Sequence, residues 1–292
     1  WVEKVVADAG YFSYRYGLSV RENVIAITTY GLMDQTNPPR FLYLSRDSGE
    51  TWETIEVAKV SDMVNPGEFH LHDVEYDPWA NRLWVTNGDR VNSALQYSDD
   101  WGKTWNLVAP RGVYVAGQAT SITALPDRVL FGSDGRPNGF FVWYRKWQEN
   151  SAPVSEHDIK FLYTPDDIAN EGYLSVANIS HTQMDAAFFE YPYTLVLPFE
   201  KSTAGSDFPL RLLASPDGEH FYEIFRIDQI SHDLGDATLA RLIGPVPGHK
   251  YMYLSVYHPS KGTFWVKIEK PEWVKVGVVD ALPAGANIIG QV

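Results

Sequence analysis

Short runs of β-branched and aromatic residues alternate along the whole chain with Gly, Pro, Asn and Asp, and a helical period is nearly absent. This pattern predicts many short antiparallel strands. One unit recurs: an apolar strand, a tight turn, then a second strand. It is read at 18–31, 73–89, 121–134, 186–197 and 239–257. The spacing of roughly 45–65 residues suits a propeller blade plus its loops. A second hairpin follows the first at 41–57, 94–108 and 210–225. Four strands per unit, repeated about five times, predict an all-β, single-domain β-propeller over residues 1–292. A two-sheet sandwich is the competing architecture, but it needs no periodic motif. Residues 1–6 and 273–279 both resemble the outer strands that open on Trp52 and Trp105. One of them is expected to complete the last blade, because an unclosed propeller exposes strand edges. About five blades are expected, and six if both ends supply strands.

The second hairpins share a turn. "SRDSGETW" spans residues 45–52 and "SDDWGKTW" spans 98–105, while the shorter "SPDGEHF" runs from Ser215 through Asp217 and Gly218 to Phe221. An Asp at the third position can accept backbone N–H groups and close the loop. The Gly takes a conformation that a Cβ disfavours, and the Trp packs at the head of the outer strand. This pattern resembles the Asp-box, or BNR repeat, of the sialidase superfamily. The two full copies match at Ser45, Asp47, Gly49, Thr51 and Trp52, and at Ser98, Asp100, Gly102, Thr104 and Trp105. The resemblance implies that the turn lies between the third and fourth strands of a blade, away from the ligand face. Its residues are therefore expected to specify fold rather than activity.

Composition narrows the partners. The net charge is -13, and Lys and Arg form no basic run. A nucleic-acid partner is not expected, since binding a phosphate backbone needs a basic footprint. With no Cys there is no disulfide framework or thiolate metal site. No apolar run approaches the roughly 18 residues of a membrane-spanning helix. The family resemblance and the start at Trp1 rather than Met, as after removal of a leader or upstream domain, suggest an extracellular or cell-surface location.

Blade geometry predicts where chemistry would sit. The face opposite the Asp-box turns receives the residues that precede each first strand and follow each second strand. These positions are polar: Arg15 and Tyr16; His70, His72 and Asp73; Asp89; Asp134 and Arg136; His181 and Asp185; His232. Loops after strands are rich in Asp and Gly in any protein. His70 and His72, at i and i+2, point the same way on an extended strand. They could bind a ligand, hold a divalent metal at the channel, or hydrogen-bond loop carbonyls. No cofactor is otherwise expected. Trp79, Trp101, Trp143, Tyr144 and Trp147 offer aromatic planes, either for sugar stacking or for packing between blades.

The sialidase catalytic set does not carry over. Its first arginine lies in a motif from which "SYRYG" around Arg15 departs. No Ser nucleophile elbow, phosphate loop or zincin helix is found either. The expected function is a non-catalytic binding module for glycan or protein ligands on the His/Asp-lined face. One alternative is a glycoside hydrolase or polysaccharide lyase using a channel carboxylate pair among Asp73, Asp89, Asp134 and Asp185. A further alternative is a structural subunit of an extracellular assembly.

Overall fold

The computed structural model describes residues 11–12, 17–30, 38–88, 90–113, 119–133, 139–145, 153–163, 176–180, 194–200, 208–215, 220, 222–230, 240–243, 251–258 and 262–269. The chain divides into two compact units, Trp1–Thr164 and Pro165–Val292. All described sheet pairings are antiparallel. The only helical pieces among the described residues are single 3-10 turns.

The first unit holds three sheets. In the first, β2 (Leu18–Arg21), β3 (Val24–Tyr30), β4 (Phe41–Ser45) and β5 (Glu53–Glu56) pair in sequence order, and β1 (Tyr11–Phe12) also pairs with β3. The second sheet is β6 (Leu71–Asp77), β7 (Arg82–Asn87), β8 (Ala94–Ser98) and β9 (Asn106–Leu107). The third is β10 (Ala119–Ala124), β11 (Arg128–Ser133), β12 (Gly139–Tyr144) and β13 (Ile159–Tyr163). In the second unit, β14 (Val176–Ser180), β15 (Thr194–Glu200), β16 (Phe208–Ser215) and β17 (Tyr222–Ile230) form a fourth sheet. A fifth contains β18 (Ala240–Ile243), β19 (Tyr251–His258) and β20 (Gly262–Glu269). Successive meanders of this kind are the blade unit of a β-propeller, and the fold is of that class. β14 occupies the position beside β15 where the sequence places a strand at 186–190; that segment and both terminal strand candidates lie outside the described residues.

Two apolar cores lie between the sheets of the first unit. Val24, Ala26, Leu42 and Leu44 of the first sheet meet Leu71, Val74, Leu83 and Val85 of the second. Trp84, Leu95 and Tyr97 of the second meet Ile122, Val129, Phe131 and Trp143 of the third. The middle sheet thus buries both faces. Its β6 and β7 are buried at every position, although β6 carries His72, Asp73, Glu75 and Asp77.

β6 is the strand that ties the sheets together. It packs against β2 and β3 on one side and β10 on the other. Asp73 accepts the amide of Gly17 at 2.8 Å and that of Ile122 at 2.7 Å. Glu75 accepts the Ser19 hydroxyl at 2.7 Å, the Arg21 guanidinium at 2.5 Å and the Ala124 amide at 3.2 Å. Two carboxylates on one strand therefore bond to the inner strands of both neighbouring sheets.

Candidate functional site

The connections of the second sheet sort onto two ends. The β6–β7 turn around Trp79 and the β8–β9 turn at 98–105 lie at one end. The opposite end carries the approach to β6, the β7–β8 loop and the segment after β9.

The turn end is built by local chemistry. In the first full copy the Ser45 hydroxyl donates to Asp47 at 2.8 Å, and Asp47 accepts the Thr51 amide at 2.8 Å and the Thr51 hydroxyl at 2.6 Å. The Gly49 amide donates to Ser45 Oγ at 2.8 Å. The second copy repeats this network with Ser98, Asp100, Gly102 and Thr104. Both turns need two successive left-handed residues: Ser48 and Gly49 at φ 60° and 91°, Trp101 and Gly102 at 62° and 83°. Hydrogen bonds from Thr51, hydroxyl before amide, and then from Ser45 pull the Asp47 carboxyl down to about 2. Asp100 is lowered for the same reasons, led by Thr104. The copies differ at their last residue. The Trp52 indole donates to Gly49 O at 3.0 Å, whereas Trp105 Nε1 has no partner among the described residues and its ring packs against the first inter-sheet core. Of the third copy, Ser215 is buried at the end of β16, while Asp217, Gly218 and Phe221 lie outside the described residues.

The aromatic candidates sort mainly into packing. Trp143 is buried beside Trp84 at 5.5 Å, with the Arg145 and Arg82 guanidinium groups over its ring. Trp101 is half-buried and stacks on Tyr76 at 5.3 Å. Trp79 is exposed at the β6–β7 turn with Arg21 and Arg145 over its ring, and Tyr144 is half-buried beneath Arg128. Trp147 lies outside the described residues.

At the opposite end the structure brings His70, His72 and Asp73 together at the head of β6, and all three are buried. The register shift between Leu71 and Asp73 marks an irregularity there, and the two imidazoles meet, Nε2 to Nε2, at 2.7 Å. Tyr30, at the end of β3, meets the His70 ring edge-on at 4.9 Å. His72 Nδ1 faces the carbonyl of Ala119 on β10 at 3.4 Å. A carbonyl only accepts, so this contact favours a proton on His72 Nδ1. His72 Nε2 is then left to accept from His70. Burial, and then the neighbouring His72, lower the His70 imidazole to about 3. Asp73 moves the other way. Burial and the charge of Glu75 push its carboxyl well above the ordinary carboxylate range, against the pull of the Ile122 and Val74 amides.

Three loops around this strand head are tied into one surface. The buried side chain of Asn92 accepts the Val64 amide at 3.0 Å and donates to Asn65 O at 2.5 Å. The Gly88 amide donates to His70 O at 2.7 Å, and Gly112 N donates to Ser93 O at 2.9 Å. Gly88 and Gly112 both have positive φ, and a Cβ on Gly88 would come 2.5 Å from Asn92 O. Arg111, half-buried, lies with its guanidinium 5.8 Å from the centre of the Phe69 ring. Tyr30, Glu75 and Arg111 are not among the residues that the sequence singles out. Glu75 is legible as a charge on the same strand two residues after Asp73; Tyr30 and Arg111 carry no comparable signal.

Of the other candidate residues, Arg15, Tyr16, Asp89, Asp134, Arg136, His181, Asp185 and His232 lie outside the described residues. Among the described residues no three His, Asp or Glu side chains gather as a metal-binding group, and no helix is long and apolar enough to cross a membrane.

No family model matches the chain, and no curated protein matches it. Several solved structures are similar in part. YCF48 bound to D1 peptide is 9% identical with a TM-score of 0.42, covering 93% of this chain and 68% of that one. The Swd1 β-propeller domain of Myceliophteria thermophila is 10% identical with a TM-score of 0.48, covering 85% and 66%. A xylan β-1,4-xylosidase from Bacillus halodurans is 14% identical with a TM-score of 0.45, and the match covers 89% of this chain but only 53% of the enzyme. At these values nothing about family, ligand or activity passes from them to this chain.

Proposed function

We propose that this chain is a non-catalytic binding module of the Asp-box propeller type, taking a glycan or protein ligand on the loop end around the head of β6 and acting outside the cytoplasm. The observation that carries this reading is the state of the two carboxylates on β6. Asp73 has both oxygens on backbone amides, and Glu75 has both oxygens on Ser19, Arg21 and Ala124. A general acid or nucleophile needs an oxygen aimed at substrate. These carboxylates are committed to joining sheets instead. The His pair is buried beneath the loops, where it supports the surface rather than forming its outermost layer. The repeated turns at the other end support the Asp-box assignment through their matching networks.

The test is a screen of the full chain against glycan and peptide arrays, repeated with His72→Ala. Defined ligands that the variant loses, and that are recovered chemically unchanged, are the expected result. Recovery of cleaved glycan would replace binding with hydrolase or lyase activity. No retained glycan or peptide at all would remove the module reading in favour of an assembly role.

A further inference from the structure

Arg111 has a buried Nη1 that no acceptor among the described residues reaches. Such an atom is costly, because a guanidinium nitrogen removed from water loses its hydration and here gains no hydrogen bond. Burial accordingly lowers the pKa of Arg111, against the pull of the Asp62 carboxylate. Native proteins leave few buried donors unmatched, and those that persist call for an explanation, a bound group among them. The surroundings say what kind of group. The Phe69 ring lies beneath the guanidinium. One exposed valine stands on each of the three tied loops: Val64 at 72% exposure, Val91 at 44% and Val113 at 41%. Val91 is held against the Arg111 loop, since a Cβ on Gly112 would lie 3.3 Å from its Cα. Asn92 fixes the Val64 loop beside it. A guanidinium on a loop surface that also carries exposed aliphatic groups matches a ligand with the same two parts.

We propose that Arg111 is the anchor of a subsite for a carboxylate attached to an apolar group, bounded by Val64, Val91 and Val113. The guanidinium fork suits a planar carboxylate, which two parallel N–H groups can hold. The valines cover the adjoining aliphatic body. A net charge of -13 repels small anions in general, so binding depends on this local pairing rather than on long-range attraction. The proposal rests on the reading of the loop end as the ligand face.

Ligand-observed NMR titration of the full chain with N-acetylvaline tests it, beside N-acetylvaline amide, isovalerate and glucuronate. N-acetylvaline should bind saturably. The amide, glucuronate, and N-acetylvaline on Arg111→Met should each be weaker by about tenfold or more, as for loss of one charge-assisted contact. Isovalerate binding as tightly as N-acetylvaline also supports the subsite, and assigns it to free branched acids rather than peptide termini. Arg111→Met should melt no lower than the parent without ligand, because it removes a half-buried cation whose buried Nη1 makes no hydrogen bond among the described residues. No saturable binding, equal binding of acid and amide, equal binding of glucuronate, unchanged binding by Arg111→Met, or a clear fall in its melting temperature overturns the proposal. Loss of array ligands with His72→Ala, while Arg111→Met keeps them, leaves the ligand face standing and removes only this subsite.

Discussion

His70 already commits its Nε2 proton to His72, so a second proton would place a net charge on a buried ring beside another imidazole. Its Nε2 lies 2.7 Å from that of His72, and the ring is buried. The lowering from the ordinary 6.5 to about 3 fixes the sign of the pH effect. Between those values the unfolded chain binds a proton here that the folded chain refuses, so stability rises with pH across the window, by at most about 1.4 kcal/mol per pH unit. Asp73 acts in the opposite sense: burial raises its carboxyl in the folded state, so its contribution is present at low pH and is lost as pH rises through its folded value. The two are separated by substitution. Denaturant melts from pH 4 to 6.5 should show a flatter stability curve for His70→Gln than for the parent, and parallel curves would refute the account of a buried imidazole that stays neutral when folded. Gly88 gives a sharper steric prediction. With φ at +66° and Asn92 O only 2.5 Å from where a Cβ would stand, Gly88→Ala should lower stability by about 1–3 kcal/mol in the same melts. A neutral result would mean that the loop relaxes freely. The HxHD spelling was visible in the chain, but its burial was not. That depends on Tyr30 and Ala119, which are distant in sequence and brought close only by neighbouring sheets.

The turn at 45–52 and its copy at 98–105 show how far local sequence reaches. The bonds that the two copies share span at most four residues, so spelling alone was enough to predict Asp as the acceptor and Gly as the left-handed residue; the first turn is tied in addition to Asn23. The companion residues Ser48 and Trp101, also left-handed, were not predictable in that way. Asp47→Ala and Asp100→Ala each remove the same hydroxyl and amide acceptor. Both should lower the melting temperature modestly and by similar amounts while leaving the far-UV spectrum unchanged; a collapse in either would show that the turn does more than close its hairpin. Gly102 should be the less tolerant of the two glycines, because a Cβ there would lie 2.7 Å from Ile55 on β5 while one on Gly49 has 3.6 Å to Ile25. Gly102→Ala is therefore expected to cost more than Gly49→Ala in the same assay. Strand positions were legible from runs of β-branched and aromatic residues. In the fourth sheet the strand beside β15 is 176–180, which was not singled out in the sequence, while the segment expected there, 186–190, lies outside the described residues.

Across the molecule, apolar periodicity predicted the repeating sheets, but not what joins them. Asp73 looks like a ligand-face residue in a linear reading, since charge in a strand near a loop usually marks a site, and Glu75 two residues on is not singled out. Their partners, at Gly17, Ser19, Ile122 and Ala124, become apparent only when three inner strands lie side by side. Glu75→Gln should show what this joint contributes. Removing one partner of a buried ion pair leaves Arg21 uncompensated, and the expected loss is about 3–5 kcal/mol. A loss below about 1 kcal/mol, within the range of surface ion pairs, would mean that the pair is solvated in solution.

The same joint has a consequence for how the chain is made. Asp73 bonds a residue 56 positions behind it and another 49 positions ahead. On the ribosome its carboxylate emerges long before Ile122 does, and the second sheet waits, with half of its joint unmade, for the third to appear. Partly built propellers of this kind expose strand edges during synthesis. A nascent chain stalled before residue 119 should therefore resist a protease poorly, and one stalled with the third sheet fully outside the exit tunnel should resist it well. The first unit thus gains its strength only once the third inner strand has emerged to close the bonds that β6 has held open.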